Sequence, residues 1–253
     1  MSAPEKLAAV VLAAGEGKRM KGDRAKVMYE VRGQALLGHV LDRVAALGIT
    51  KTVVVVGHRR EPVIALTHAR GAETAVQEQQ LGTGHAFRQA VPALGDFKGT
   101  VLVLCGDTPL LTVGTLAELL ETHRRREAAA TVLSADLPDP TGYGRVVRDA
   151  EGDIEKIVED KDATPAERSL HEINTAIYAF EYPEITQVLG EIRAENRQGE
   201  YYLTDVVALL RARGRRVAVL KTDDPREAAG INTVEQLQEA EAAYAALAAE
   251  GRL

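Results

Sequence analysis

The sequence predicts an α/β fold built on a parallel sheet with helices on both faces. Three runs of apolar or β-branched residues support this prediction, at positions 7–13, 52–56 and 101–105. A glycine follows each run closely, and uninterrupted apolar runs of this kind are typical of strands buried on both faces. Segments whose apolar residues recur at helical spacing lie between the runs, which is the rhythm of a parallel sheet.

Helices alternate with these strands through the first half of the chain. Apolar residues from Leu36 to Leu47 recur at helical spacing, and Gly48 follows them as a stop signal. The same pattern predicts helices over residues 83–93 and 112–127. The nucleotide-binding part of a single domain is therefore expected to cover residues 1–135.

The second half is predicted to contain more antiparallel structure. A strand is expected over 131–135, a hairpin around Glu151-Gly152 from two short strands at 144–148 and 154–158, and a strand over 172–180. Helices are predicted over residues 184–193, 204–213 and 234–247. Residues 136–144 are rich in Pro, Gly and Asp and mark a soft boundary. The rest of the domain is divided into two parts. Residues 136–226 are expected to bind a sugar phosphate, and residues 227–253 are expected to form a metal-ligand loop and a C-terminal helix.

Composition and charge exclude several classes of function. The 253 residues carry a formal net charge of −6, which argues against a nucleic-acid partner. The single cysteine, Cys105, permits no disulfide within the chain and no cysteine-based zinc site. The first six residues lack the layout of a signal peptide, and no apolar run is long enough to cross a bilayer. We expect a cytoplasmic protein that does not bind membranes.

A glycine-containing loop leaves the first strand at its carboxyl end, where open α/β sheets bind their ligands. Gly15 and Gly17 allow the backbone to approach a phosphate closely, and Lys18, Arg19 and Lys26 place cations beside it. This combination suits a nucleoside triphosphate. A tight turn with solvated charges is the simpler interpretation, and the positions of Arg19 and Lys26 favour the phosphate site.

This loop resembles that of the nucleotidyltransferases that make nucleotide sugars, which carry Leu-x-x-Gly-x-Gly-x-Arg-Met followed by a lysine. Further segments resemble, in order, those of the bacterial N-acetylglucosamine-1-phosphate uridyltransferases, and together they cover nearly the whole chain. The segments occupy residues 77–86, 105–110, 139–145, 159–163, 172–175, 198–205 and 230–232. The resemblance implies a Rossmann-like, mixed but mostly parallel sheet with a smaller β-rich lobe that binds the sugar.

The resemblance also implies a magnesium site. It assigns Asp107, which follows the strand over 101–105, and the distant Asn232 as the ligands, and Mg²⁺ prefers such oxygen ligands. The alternative is that Asp107 caps the helix that starts near Thr112. Arg19 and Lys26 are implied to be catalytic, as cations that stabilise the charge of the triphosphate.

The uracil of UTP is expected to lie against the first loop and the segment 77–86. The resemblance assigns contacts with UTP to Leu12, Ala13, Gly15, Gln77, Gln80, Gly82 and Thr83. An amide together with backbone N–H and C=O groups matches the edge of uracil and disfavours cytosine. On sequence grounds Thr83 is equally suited to cap the following helix. We interpret His85, in the same segment, as structural.

The sugar phosphate is expected to occupy a second group of residues. The resemblance implies a pocket formed by Gly106, Gly144, Glu159, Asn174, Thr204 and Asn232. For Glu159 the alternative is an ion pair with Lys156 or Lys161 on a solvated hairpin. Ala176 stands where glycine is usual, which is expected to influence the choice of sugar.

The resulting hypothesis is an in-line displacement in which an amino-sugar 1-phosphate attacks the α-phosphorus of UTP and pyrophosphate leaves. A cytidylyl- or guanylyltransferase of the same fold is one alternative, and a non-catalytic sensor that binds a nucleotide sugar is another. The bacterial uridyltransferases usually carry an acetyltransferase domain as well. A separate acetyltransferase domain or chain is therefore a possible partner, because no hexapeptide repeat is present here. A monomer is expected in its absence.

Overall fold

A computed structural model describes residues 6–20 and 22–253, apart from the side chain of Lys18. Within this part of the chain the strands are β1 (Leu7–Ala13), β2 (Glu30–Val31), β3 (Gln34–Ala35), β4 (Lys51–Val56), β5 (Glu73–Val76), β6 (Gly99–Cys105), β7 (Ala130–Asp136), β8 (Arg145–Arg148), β9 (Ile154–Val158), β10 (Glu172–Tyr182) and β11 (Val217–Lys221). The helices are α1 (Leu36–Ala46), α2 (Glu61–Ala69), α3 (Thr83–Leu94), α4 (Val113–Arg125), α5 (Pro165–Arg168), α6 (Glu184–Leu189), α7 (Asp205–Ala212) and α8 (Val234–Ala249).

The main sheet is mixed and mostly parallel, as the resemblance implies. Its strands follow the order β11-β7-β10-β6-β1-β4-β5, and the hairpin of β8 and β9 joins it through a pairing with β10. Strand β10 runs antiparallel to both β6 and β7, whereas the other neighbours along this order are parallel. Strands on both sides of residue 135 therefore belong to one sheet.

Two hydrophobic layers cover the two faces of the sheet, because successive residues of a strand point to opposite sides. Val10 and Val53 belong to one layer, which includes apolar residues of α3, α6 and α7. Val11 and Val54 belong to the other layer, with residues of α1, α2 and α4. The predicted placement of helices on both faces is thus confirmed.

A third apolar cluster fixes the C-terminal helix against the loops that follow the strands. It joins Met20, Leu110 and Ile231 to Ala240 and Leu247 of α8. The helix predicted over 234–247 is thus confirmed and packed, although Val234 at its start is 42% exposed. Helix α8 therefore packs on the domain and supports three segments that carry predicted site residues.

Most predicted elements are present with small shifts in their ends, and the hairpin around Glu151-Gly152 is confirmed. The helix predicted over 184–193 was drawn too long, since α6 ends at Leu189. Helix α2 and the short strands β5 and β11 were not predicted. These two strands lie at the two edges of the sheet. The described residues contain no helix long and apolar enough to cross a membrane.

Candidate active site

A cleft of about 450 Å³ opens at the carboxyl ends of β1 and β6. These strands are neighbours in register, so the loops that follow them emerge side by side. The walls include most residues predicted to bind UTP or metal, namely Leu12, Ala13, Gly15, Arg19, Lys26, Gln77, Gln80, Gly82, Thr83, Asp107 and Asn232. The fold thus collects these residues, which are scattered along the sequence, into one cleft.

The loop after β1 is shaped by Gly17 and Lys26. Gly17 has a φ of +62°, and a Cβ atom added there would lie 2.7 Å from the Cβ of Lys26. Any larger residue would therefore clash and strain the backbone. A Cβ at Gly15 would meet no atom within 4 Å, which leaves open space on the side of the loop that lines the cleft. Arg19 is exposed beside it, and the side chain of Lys18 lies outside the described part.

One ammonium group joins the loop to the two predicted metal ligands. Lys26 Nζ forms an ion pair with Oδ2 of Asp107 and donates a hydrogen bond of 3.0 Å to Oδ1 of Asn232. Both charged side chains are largely buried, with 15% and 14% of their surface exposed. The backbone reinforces the arrangement, because the Ile231 N–H donates to the carbonyl of Asp107 at 3.0 Å.

Asp107 and Asn232 are arranged to hold a cation. Their oxygens already converge on the positive charge of Lys26, and a carboxylate with an amide oxygen is a hard donor set that suits a divalent ion. The alternative role of Asp107 as a helix cap is wrong. Thr112 caps α4 instead, since its hydroxyl accepts from the backbone N–H of Thr115.

At the other end of the cleft, Gln77 and Gln80 follow the edge strand β5. Gln77 is buried, with 4% of its surface exposed, and its amide nitrogen donates to the carbonyl of Gly82 at 3.1 Å. The amide nitrogen of Gln80 donates to the carbonyl of Gln77 at 3.3 Å. These contacts hold the two amides in place beside the loop after β1.

The alternative role of Thr83 as a helix cap is also wrong. Gly82 occupies the capping position of α3 with a φ of 101°, and Thr83 is the first residue of the helix. The hydroxyl of Thr83 accepts from the backbone N–H of Leu203 at 3.0 Å. A Cβ added at Gly82 would lie 2.6 Å from the carbonyl oxygen of Tyr201, so only glycine fits there.

The residues predicted to hold the sugar lie in a second group beside the cleft. The hydroxyl of Thr204 donates to Glu159 at 3.1 Å, and the Asn174 N–H donates to the carbonyl of Gly144 at 2.8 Å. A Cβ added at Gly144 would lie 3.4 Å from Glu159 Oε2. Gly106, also predicted here, instead packs against β1, where its N–H donates to the carbonyl of Leu12 at 2.9 Å.

Glu159 is not the solvated partner of a lysine that the alternative interpretation required. Lys156 pairs with Glu167 at 2.8 Å, and Lys161 donates to Gln198 at 2.5 Å. Burial raises the pKa of Glu159, and the nearby carboxylate of Asp205 adds to this effect. A partly desolvated carboxylate of this kind is suited to accepting hydrogen bonds from hydroxyl groups.

Three further residues had no site role assigned from the sequence. Burial, and after it the negative charge of Asp107, raises the pKa of Tyr143. Glu200 lines the cleft and acts electrostatically on Glu159. Cys105 also lines the cleft and is partly buried. Desolvation raises the pKa of its thiol to about 12, which disfavours the reactive thiolate.

Comparison with known proteins covers most of the chain. Residues 9–173 match the model of the MobA-like NTP transferase domain. The bifunctional protein GlmU of Pelotomaculum thermopropionicum is 52% identical over 235 residues, which are 93% of this chain and 51% of that protein. The bifunctional protein GlmU of Thermobifida fusca is 50% identical over 246 residues, which are 95% of this chain and 51% of that protein.

Solved structures extend the similarity to the fold. A UDP-glucose pyrophosphorylase in complex with UDP-glucose superposes with a TM-score of 0.74 at 17% identity, over 96% of this chain and 99% of that one. At this identity the match concerns the fold alone. The chain spans about half the length of the curated relatives that it matches.

Proposed function

The chain belongs to the MobA-like NTP transferase domain family, and on this premise we propose that it joins UTP to N-acetylglucosamine 1-phosphate and releases pyrophosphate. The observation that carries the proposal is the meeting of Lys26, Asp107 and Asn232 beside the glycine loop, in a cleft that also contains Gln77. Cations, metal-type oxygens and a buried amide are the groups that a metal-bound nucleoside triphosphate requires. The similarity to bifunctional GlmU proteins supports the choice of sugar and base.

In this proposal UTP lies along the cleft. Its triphosphate follows the loop from Leu12 to Arg19, and its uracil meets Gln77, Gln80, Gly82 and Thr83. The backbone of Ala13 and the open space at Gly15 give the phosphates and ribose room to approach the loop. The sugar phosphate takes the second group, with Glu159 holding hydroxyls and Asn174 the N-acetyl group.

The residues of the chain then act by position and charge. The phosphate oxygen of the sugar attacks the α-phosphorus of UTP, the bond to the β-phosphate oxygen breaks, and pyrophosphate leaves with the electron pair. The nucleophile is already an anion, so no covalent intermediate with the protein is needed. Arg19 and Lys26 stabilise the charge that develops on the phosphates, which is the main contribution an enzyme makes to phosphoryl-type transfer.

Enzymes of the NTP transferase family commonly use a divalent metal ion, and we propose Mg²⁺ at Asp107 and Asn232. Bound there, Mg²⁺ would supply positive charge that offsets the negative charge of the phosphates. Only two protein ligands are proposed, in keeping with the tendency of Mg²⁺ to retain water and phosphate oxygens. Lys26, which now occupies the position between the two oxygens, would turn to the phosphates.

The experiment is a measurement of pyrophosphate release with UTP, CTP, GTP and dTTP, each against N-acetylglucosamine, glucosamine, galactosamine and glucose 1-phosphates. We expect UTP with N-acetylglucosamine 1-phosphate to give the highest kcat/KM. A preference for CTP or GTP would instead support one of the other nucleotidyltransferases. Tight binding of UDP-N-acetylglucosamine without turnover would support a sensor and overturn the proposal.

The proposal includes the setting of this activity. We propose that it supplies UDP-N-acetylglucosamine in the cytoplasm for cell-wall synthesis, with an acetyltransferase domain or chain as a partner. The relatives are named bifunctional and are about twice as long as the chain, which supports a second activity outside these residues. Incubation of this chain with glucosamine 1-phosphate and acetyl-CoA tests whether acetyl transfer belongs to a partner. This chain alone is expected to leave both compounds unreacted.

A further inference from the structure

We propose that His85 is a positioning residue that, together with the Gly82 carbonyl, holds the Gln77 amide with its oxygen offered to the base, and that it thereby helps to select UTP over CTP. The inference builds on the proposed function, because it concerns recognition of the base by the same cleft. His85 is the third residue of α3, contacts Gln77 and does not itself line the cleft. Its effect on the ligand is therefore indirect.

The first step is the orientation of Gln77. Its Nε2 atom lies 3.1 Å from the carbonyl oxygen of Gly82. A carbonyl oxygen only accepts hydrogen bonds, so the nitrogen end of the amide must face it. The same Nε2 atom lies 3.0 Å from Nδ1 of His85, so the second amide hydrogen of Gln77 is directed at this ring nitrogen. Both amide hydrogens are then used within the protein.

The second step is the protonation of His85. Because Nε2 of Gln77 is a donor, Nδ1 of His85 must accept, and the ring must carry its proton on Nε2. Gln89 contacts that second nitrogen at 3.2 Å, and its amide nitrogen also donates to the backbone carbonyl of His85 at 3.3 Å. The two contacts of Gln77 are shorter, at 3.0 and 3.1 Å, and on this ground we assign the acceptor to Nδ1. The amide of Gln89 then turns about its last torsion to accept from the proton on Nε2.

The surroundings of the ring favour its neutral form. Desolvation by burial lowers the pKa of His85 and the positive charge of Arg88 lowers it further, whereas the backbone of Gln79 acts in the opposite direction. The imidazole also lies beside the ring of Tyr201, with 6.5 Å between the ring centroids. A neutral ring keeps Nδ1 available as an acceptor, which is the form that the orientation of Gln77 requires.

The consequence concerns the atom that Gln77 has left for a ligand. With both hydrogens engaged, the Oε1 oxygen is the remaining hydrogen-bonding atom of this side chain, and it has no hydrogen-bond partner among the described residues. An acceptor matches the N3–H group of uracil. The N3 atom of cytosine has no hydrogen and would face the oxygen with a lone pair, which is unfavourable.

Without His85 the orientation would be less well defined. The amide of Gln77 would keep only its contact with Gly82, and a rotation that offers Nε2 to the cleft would become accessible. A glutamine that presents either end accepts cytosine as well as uracil. His85 thus contributes to specificity through the orientation of a neighbour, although it is expected to touch neither substrate.

The kinetic test compares kcat/KM for UTP and CTP in three variants. His85→Leu removes the acceptor, and we expect the preference for UTP to fall about tenfold, the usual value of one hydrogen bond in a buried site. His85→Asn keeps an acceptor near the Nδ1 position and is expected to retain most of the preference. The matched control is Gln89→Leu, which removes the contact at the other ring nitrogen and should leave the preference unchanged. An undiminished preference in a folded His85→Leu protein would overturn the inference.

A second measurement needs no variant to fold. Nitrogen-15 chemical shifts of the imidazole distinguish the two neutral tautomers in the wild-type chain. We expect the proton of His85 on Nε2, and a proton on Nδ1 would contradict the inference. The two proposals fail separately: absence of UTP turnover in the wild type opposes the proposed function, whereas normal turnover with the wrong tautomer opposes only the role of His85.

Discussion

Lys26 donates a hydrogen bond of 3.0 Å to Oδ1 of Asn232, although 206 positions separate the two residues in the chain. The same ammonium forms an ion pair with Asp107, which follows β6. The loop after β1, the end of β6 and the segment before α8 therefore meet at a single positive charge. This contact explains why the three segments, each unremarkable alone, act together as one site.

Replacement of Lys26 by alanine is expected to reduce kcat/KM about a hundredfold, or about 3 kcal/mol, because a cation that stabilises the triphosphate is removed. The change also leaves Asp107 without its present partner. Pyrophosphate release with UTP and N-acetylglucosamine 1-phosphate measures the effect. The matched control is Lys51→Ala. Lys51 pairs with Glu73 at 2.8 Å and is the first residue of β4, at the end of the strand opposite the cleft. Equal activity of the Lys26 variant and this control would remove Lys26 from the mechanism.

Glu159 is predicted to affect the sugar phosphate more than UTP. Glu159→Ala removes a carboxylate that is partly desolvated and bonded to Thr204, so we expect KM for the sugar phosphate to rise at least about tenfold. KM for UTP is expected to change little. Glu167→Ala, which removes the partner of Lys156, serves as the control and should alter neither constant. A selective rise in KM for UTP would contradict the assignment.

Ala176 adopts a left-handed backbone conformation, with a φ of 59°, at an irregularity in the pairing of β10 with β7. A side chain in this conformation costs about 1 kcal/mol, so Ala176→Gly is expected to raise the free energy of unfolding by up to about that amount. Ala179→Gly is the control, because Ala179 is fully buried within β10 and should instead be destabilised by the change. Urea unfolding compares them, and equal losses of stability would show that residue 176 is not strained.

The same substitution tests the choice of sugar. The backbone N–H of Ala176 donates to Oδ1 of Asn174 at 3.2 Å, so residue 176 lies next to a residue of the proposed sugar site. Ala176→Gly is therefore expected to increase kcat/KM for larger sugar phosphates relative to glucose 1-phosphate. An identical order of sugars in both proteins would assign the residue a purely structural part.

His123 is expected to make the stability depend on pH. Burial lowers its pKa to about 4, and its Nε2 atom is buried without a hydrogen-bond partner in the described part of the chain, whereas Nδ1 lies 2.9 Å from the hydroxyl of Thr131. Below about pH 6.5 the unfolded chain binds a proton that the folded chain does not, so the free energy of unfolding falls as the pH decreases. The loss reaches about 3 kcal/mol near pH 4.

Chemical unfolding between pH 7 and pH 4.5 measures this effect. The variant His123→Gln should flatten the dependence on pH relative to the wild type. His58 is exposed, and His58→Gln is the control that should keep the wild-type slope. If the His123 variant lost stability with acid as steeply as the wild type, the buried imidazole would not be responsible.

The sequence was most informative where a single physical requirement fixed the pattern. Strands β1 and β6 are buried on both faces, so nearly every position is apolar and the strands can be recognised without any knowledge of the fold. The short edge strands β5 and β11 have half-buried residues and carry no such run. Their position depends on neighbours that are distant in the sequence.

The site likewise combines features that the local sequence predicts with features that depend on residues distant in the chain. The glycine loop was recognisable locally, because Gly17 needs an unusual backbone conformation and the cations follow at once. The partnership of Asp107 with Asn232 was inferred only from resemblance, since no spacing rule links residues so far apart. Whether Thr83 caps α3, or Glu159 pairs with a lysine, depends on which side chains burial brings together. The link between His85 and Gln77 required coordinates for the same reason.

The most direct test of the account is the binding of Mn²⁺, as a paramagnetic substitute for Mg²⁺, in the presence of UTP. Water-proton relaxation, corrected for UTP alone, reports the ion held by the protein. If Asp107 and Asn232 hold one ion beside the triphosphate, Asp107→Asn should weaken its binding at least about tenfold, Asn232→Ala should weaken it less, and the exposed control Asp96→Asn should not change it. Equal affinity in the wild type and Asp107→Asn would contradict the account.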